Sequence, residues 1–347
     1  MVVYYSMFYV VASILFLAGH IKMSKTAKKA TYIVACILLV AVAGLRYYVG
    51  TDYAQYVLNY PKYLNRELSF TSQPALTIVA RLAAIIKNDY ATWFFLMSVI
   101  TIVPVIVAII KYSTSIGMSI VMYILLGCWH YSFNLVKQSA AAAILLLGFA
   151  AIRDRKLIIW FVYCAVASMF HITALMMFPV YFLVNAKITK KKVIMLIAIG
   201  GIVMVSYDYL LSIVDALKQG EGLVGRNTAT LNNSVSILRI LVNCAPMALC
   251  AVFWKKYDAE DRTFACLFNL SLFNAVINVG SMNSIYLNRF CCYTNIYNAL
   301  FIPLLFKPLK GWRKWTVPVI LVLYFAFWSY DLYKGSSTVV FHWIFER

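Results

Sequence analysis

The sequence predicts an all-α polytopic membrane protein of about twelve transmembrane helices with an extracytoplasmic polar cavity, and three observations carry that expectation. Hydrophobic residues fill 63% of the 347 positions and charged residues only 12%, for a mean hydropathy of +0.81. That is far more apolar side chain than a soluble domain of this size buries. Apolar runs recur along the whole length between short polar breaks, so 1–347 reads as a single integral membrane domain. The lysine-rich breaks fall where one alternating topology places them all on the same side, as cytoplasmic loops require.

Taken in order, the first run, 3–19, lacks a basic stretch before it and reads as a span and not as a removable signal. HIKMSKTAKK (20–29) turns the chain on the cytoplasmic side, and 29–45 returns it. The segment 46–91 is then polar and aromatic, an outer interfacial stretch. Within it PALTIVARLAAII (74–86) is apolar but short and carries Arg81, which suits an interfacial or re-entrant helix and not a crossing. Further spans follow at 92–110, 118–131, 135–152, 157–170, 172–186, 193–210, 236–254, 264–280, 289–306 and 315–331. Several fall short of the ~20 residues a straight crossing needs, so 118–152 and 157–186 are expected to hold half-length or broken helices. The breaks RDRK, NAKITKKK, WKKYDAEDR and FKPLKGWRK join the first one inside, which leaves both termini extracytoplasmic and 207–235 as a second outer loop.

Charge separates along that topology. Of the formal +19, the cytoplasmic side holds 15 Lys and 4 Arg against 4 acids, and the outer side 5 Lys and 7 Arg against 8 acids. The inner surplus is a topology signal with affinity for anionic membrane lipids, so the basic balance does not argue for nucleic acid. The outer set favours arginine, whose planar fork suits phosphate or carboxylate.

The stretch LRYYVGTDYAQY (45–56) concentrates that chemistry. Arg46 and Asp52 stand among Tyr47, Tyr48, Tyr53 and Tyr56, which suits a phosphorylated lipid carrying sugar, with aromatic faces for the sugar. An aromatic belt followed by a Gly50-Thr51-Asp52 turn is the structural alternative. Further cation candidates are Lys137, a turn inside an alanine-rich span, and Arg289 in YLNRFCCY, with Arg226 and Arg239 behind them. Snorkelling for Arg289 and an interhelical hydrogen bond for Lys137 are the bland accounts. For a base the choices are Asp52 and His171, a histidine between two short apolar runs. Asp208, Asp215 and Glu221 in the second outer loop offer no choice among themselves. The eight cysteines lie in apolar runs, and Asp258, Glu260 and Asp261 sit among lysines, so no metal site and no cofactor is expected. P-loop, dinucleotide-binding, H-E-x-x-H and G-x-S-x-G motifs are absent.

The Arg-x-x-x-Gly-Thr-Asp-Tyr-x-x-Tyr segment beginning at Arg46 resembles the signature of the EpsG family, within the Wzy-type group that polymerises exopolysaccharide, capsule and O-antigen repeat units. Residues 134–156, 168–183 and 287–306 are similar to that family's pattern, with Lys137-Gln138 where arginine-glutamine is usual. The resemblance implies a metal-independent glycosyltransferase in the bacterial cytoplasmic membrane, acting on its outer face. It would move a growing glycan from undecaprenyl pyrophosphate onto a hydroxyl of the next lipid-linked repeat. It also implies Gln138 and Tyr293 as sugar contacts, and a flippase and a chain-length regulator as partners. A ligase using the same donor, or a flippase of lipid-linked sugar, remains open. A flippase needs polar residues along a full path, whereas Arg46, Asp52, Lys137, His171 and Arg289 gather in the outer half.

Overall fold

A computed structural model describes residues 1–68, 73–217, 235–284, 288–309, 311–334 and 340–347. The chain is a multi-pass helical membrane protein. Among the described residues five helices are long and apolar enough to cross a membrane: α1 (Val2–His20), α2 (Lys25–Gly44), α5 (Tyr90–Tyr112), α14 (Arg262–Gly280) and the Lys314–Lys334 stretch of α17 (Arg313–Lys334). The remaining runs form shorter pieces, so the twelve expected spans are not twelve uninterrupted helices.

The interruptions have local causes. The run expected at 118–131 divides into α6 (Ile116–Leu125) and α7 (Cys128–Tyr131) at Gly127, whose φ of +81° admits glycine and whose Cβ would sit 2.6 Å from the Tyr131 ring. The run at 135–152 divides into α8 (Val136–Leu147) and α9 (Phe149–Arg153). Next, α10 (Leu157–Ser168) and α11 (Met177–Asn185) are joined through a 3-10 turn, Ile172–Met176, with His171 just before it. Beyond lie α12 (Lys190–Leu217), α13 (Ile237–Val252), α15 (Cys292–Asn295) and α16 (Asn298–Leu305). Because α12 runs to Leu217, the first residues of the expected 207–235 loop are helical. Glu221 and Arg226 lie outside the described residues.

Small residues let the central helices approach. Ala140 to Ala143 on α8 are fully buried, and α8 packs along α5, which also packs along α2. At the lysine-rich end the buried Lys192 donates to the carbonyls of Leu183 (3.0 Å) and Ala186 (3.1 Å) and to Asn269 Oδ1 (2.7 Å), closing the end of α11. One lysine of that break is therefore internal and not solvated. The acidic run beside it is turn and cap chemistry: Asp258 accepts from Glu260 N at 2.9 Å, and Asp261 caps α14 through Phe264 N at 2.7 Å.

At the other end the 46–91 segment is ordered structure. It contains α3 (Tyr53–Asn65) and α4 (Pro74–Ile86). With thirteen residues, α4 is about 20 Å long and cannot cross the ~30 Å hydrocarbon layer. Val79, Ala80 and Ala83 are buried while Ile78, Leu82, Ile85 and Ile86 are exposed, the sidedness of a helix lying on the bundle. Arg81 donates to the carbonyl of Arg66 at 3.0 Å, and Ala75 N to that of Met169 at 3.1 Å, which fixes α4 beside the α10–α11 turn. A two-residue antiparallel pairing joins β1 (Arg46–Tyr47) to β2 (His342–Trp343), so the last residues of the chain return to this end.

Candidate functional site

The 45–56 stretch is built around Arg46, and the side chain faces inward. Its exposure is 2%, and its guanidinium donates to the carbonyls of Ala43 and Phe133, the latter at 3.4 Å. The rings of Phe94 and Phe133 lie 4.8 and 4.9 Å from it. Arg46 is therefore sealed among aromatic rings, not presented to a phosphate. The tyrosines expected to offer faces to sugar divide. Tyr53 is fully buried, stacked 4.2 Å from Phe94, and donates to the Arg46 carbonyl at 3.3 Å; Tyr56 is buried against Trp93 and donates to the Asn134 carbonyl at 3.2 Å. Neither presents a face. Tyr47 is half-buried in β1 and Tyr48 is exposed, with a left-handed φ of +51°.

What this packing holds in place is the turn after it. Gly50 has φ +110°, and a Cβ there would stand 2.6 Å from Asn134 Oδ1 and 2.9 Å from the Phe133 carbonyl. The next amide, Thr51 N, donates to Asn134 Oδ1 at 2.6 Å. Asp52 follows at the head of α3, where its side chain makes no capping bond and lies instead 3.9 Å from Arg289 Nη2.

Arg289 lies where two spaces meet. One is a polar cavity of about 660 Å³, bordered by Thr51, Asn134, Asn243, Asn288, Asn295 and the Asp331 group described below. The other is an apolar groove of about 830 Å³ between α11, α12 and α14, lined by residues such as Val180, Leu183, Ile199 and Phe273. Arg289 borders both. Lys137, half-buried at the start of α8, feels the charges of Arg66, Asp52 and Arg289, and among the described residues its ammonium makes no hydrogen bond or ion pair.

The polar residues at the groove's mouth are Gln138, His171, Thr173 and Tyr293. His171 Nδ1 is 2.7 Å from Thr173 Oγ1 and 3.1 Å from the Tyr293 hydroxyl, which in turn is 2.8 Å from Thr173. Burial first, and then the Lys137 and Arg289 charges, pull the imidazole down to about 4 from its ordinary value of 6.5. It is neutral at neutral pH and a weaker base than the sequence suggests, with one ring nitrogen already engaged. Gln138 and Tyr293 are buried.

The cavity is also bordered by Asp331, His130 and Tyr131, which the sequence did not single out, and by Arg239, which it did. Asp331 on α17 accepts from the Tyr131 hydroxyl at 2.7 Å and lies 3.2 Å from His130 Nε2, and Arg239 on α13 donates to its other oxygen. Arg239 is thus committed to a carboxylate, with its guanidinium 5.2 Å from the Tyr131 ring. A set of buried polar side chains continues from the cavity lining: Asn243 to Asn278 at 2.9 Å, Thr294 to Asn274 at 2.8 Å, and Asn298 to Asn295 at 3.1 Å. Amides spaced five and four apart in NLSLFNAVINVG were the available signal, since polar side chains inside apolar helices face partners or a polar space.

Residues 29–342 match the sequence profile of the EpsG family. No curated protein and no solved structure matches the chain.

Proposed function

Since the chain belongs to the EpsG family of Wzy-like polysaccharide polymerases, we propose that it extends a glycan by transferring it from a lipid pyrophosphate to a hydroxyl of the next lipid-linked repeat. The observation that carries this reading is the position of Arg289 on the border of an apolar groove and a polar cavity. A polyprenyl pyrophosphate sugar such as undecaprenyl-linked oligosaccharide has those three parts in that order: an apolar chain, an anionic joint and a hydroxyl-rich head. The chain would lie along the groove, the pyrophosphate at Arg289 and Lys137, and the sugars among the asparagines of the cavity.

Each residue then has a task. Two cations beside the departing pyrophosphate stabilise the charge that develops on its oxygen as the glycosidic bond breaks. Asp52 stands opposite the Arg289 fork at 3.9 Å, and the Arg46 packing holds the turn that carries Asp52. Gln138, His171 and Tyr293 form a neutral hydrogen-bonding rim where the groove meets the joint. The lysine-rich loops gather at the opposite end, which supports a cytoplasmic membrane location with this site and both termini on the outer face.

The test is glycan chain length in cells whose only copy carries Arg289→Ala or Asp52→Asn, with membrane levels of the protein confirmed. Single repeats at the surface, with the long glycan gone, are the expected result. Lipid-linked repeats held on the cytoplasmic side would instead make the protein a transporter of that lipid.

A further inference from the structure

Transfer to a sugar hydroxyl needs a group that accepts its proton, and the residues nearest the pyrophosphate position are poorly suited. Asp52 faces Arg289 at 3.9 Å, where its charge is engaged in holding that guanidinium. His171 is on the groove side, with Nδ1 engaged by Thr173 and Tyr293.

The same polar cavity is bordered by a histidine with a different set of partners. His130 is 4% exposed and borders the cavity, its Nε2 3.2 Å from Asp331 Oδ2. Asp331 also receives the Tyr131 hydroxyl and Arg239, so its carboxylate is held by three donors on α7 and α13. A carboxylate only accepts, so Nε2 carries the ring proton and Nδ1 of the neutral imidazole carries the lone pair. Among the described residues that Nδ1 is buried without a hydrogen-bond partner. A buried polar atom left unpaired calls for an explanation, and a catalytic role is one of the few.

We propose that His130 is the general base of the transfer, with Asp331 as its positioning residue. This rests on the polymerase reading above. The acceptor hydroxyl gives its proton to Nδ1, and its oxygen forms the new bond to the anomeric carbon. The bond from that carbon to the pyrophosphate oxygen breaks, and its electron pair leaves with the lipid pyrophosphate beside Arg289 and Lys137. The imidazolium that forms is held by Asp331 through Nε2–H and returns its proton to water. A single displacement requires the acceptor to reach the anomeric carbon on the face opposite the departing pyrophosphate, within the cavity that His130 and Arg289 both border.

The experiment uses the full-length protein purified in detergent and the lipid-linked repeat that accumulates in cells lacking it, with added repeats counted by gel. His130→Gln keeps an N–H for Asp331 at similar volume and removes the basic lone pair. It is expected to fold, to melt like the wild type, and to lose chain growth by about 10²-fold or more. His130→Ala, which opens space for a small base, is expected to regain growth with added imidazole. Adding Asp331→Asn to it is expected to abolish that rescue, which a merely structural aspartate would not do. Growth by His130→Gln within about threefold of wild type overturns the assignment, as does His130→Ala that is folded yet unmoved by imidazole. If the wild type itself adds no repeats, the polymerase reading falls and takes this assignment with it.

Discussion

Arg46 and Arg289 stand at the same end of one helical bundle, each at the edge of an apolar span, and the protein treats them in opposite ways. Arg46 is 2% exposed, its two Nη groups donating to backbone carbonyls and its faces set against aromatic rings. Arg289 has 38% of its side chain exposed, stands loosely opposite a carboxylate, and borders both open spaces. An arginine near a membrane surface is costly unless partnered, and the kind of partner tells its work. Carbonyls and rings leave no room for a ligand anion. A carboxylate at 3.9 Å holds a guanidinium in place at the edge of two open spaces.

The sharpest way to break this contrast is to remove each arginine and separate amount from activity. Arg289→Ala is expected to leave the protein in the membrane and stop chain growth. Arg46→Ala leaves two buried carbonyls without donors and a void between Phe94 and Phe133, costing about 3 kcal/mol or more. Its signature is a lower membrane level and melting temperature, with the surviving protein keeping much of its specific activity. Loss of specific activity at full abundance would show that Arg46 reaches substrate after all.

Next in size is Gly50→Ala. The left-handed φ and the 2.6 Å approach to Asn134 Oδ1 forbid a Cβ without movement of the turn, a strain of about 1–3 kcal/mol. Because Asp52 rides on that turn, the variant is expected to lose activity beyond what its stability loss explains, measured as rate per folded molecule. A loss confined to stability would disconnect the Arg46 packing from Arg289.

The spans were legible because length and hydropathy decide them: 3–19, 92–110 and 264–280 fall on α1, α5 and α14 within two residues at each end. The broken helices were legible too, from their lack of residues for a crossing. The direction of Arg46 was not, because the ring and carbonyl that receive it, on Phe133, are 87 residues away. Likewise His130 reads as one polar residue at the end of an apolar run until the fold brings Asp331 to it from 201 residues on. The sheet pairing of Arg46 and Tyr47 with residues 342–343 has too short a pattern to be seen in sequence at all.

A third prediction follows from His171. Its folded-state pKa lies below the ordinary value, so between about 6.5 and about 4 the unfolded chain binds a proton that the folded one refuses. The stability it contributes is therefore whole above about pH 6.5 and is lost as pH falls toward 4. Melting temperature followed from pH 7 to 4.5 is expected to fall less steeply in His171→Gln than in the wild type. Equal slopes would mean that neither burial nor the Lys137 and Arg289 charges lower this imidazole in the folded protein.

The smallest effect belongs to the tie that closes this end of the bundle. Arg347 donates to both oxygens of Asp89, at 2.6 and 2.9 Å, and lies 4.3 Å from the Tyr90 ring, while Ile344 N donates to the Leu45 carbonyl beside Arg46. The hydrogen bonds from Arg347 hold the Asp89 carboxyl below the usual range. Its contribution is thus present above the ordinary carboxylate pKa of ~3.9 and fades as pH falls below that value. Water reaches the pair, so Arg347→Ala is expected to cost under about 1 kcal/mol at pH 7 and less in high salt. The β1–β2 pairing and the buried Arg46 remain without it. A larger loss, or one that salt does not reduce, would mean that the returning strand holds Arg46 in place and that the two arginines depend on one clasp.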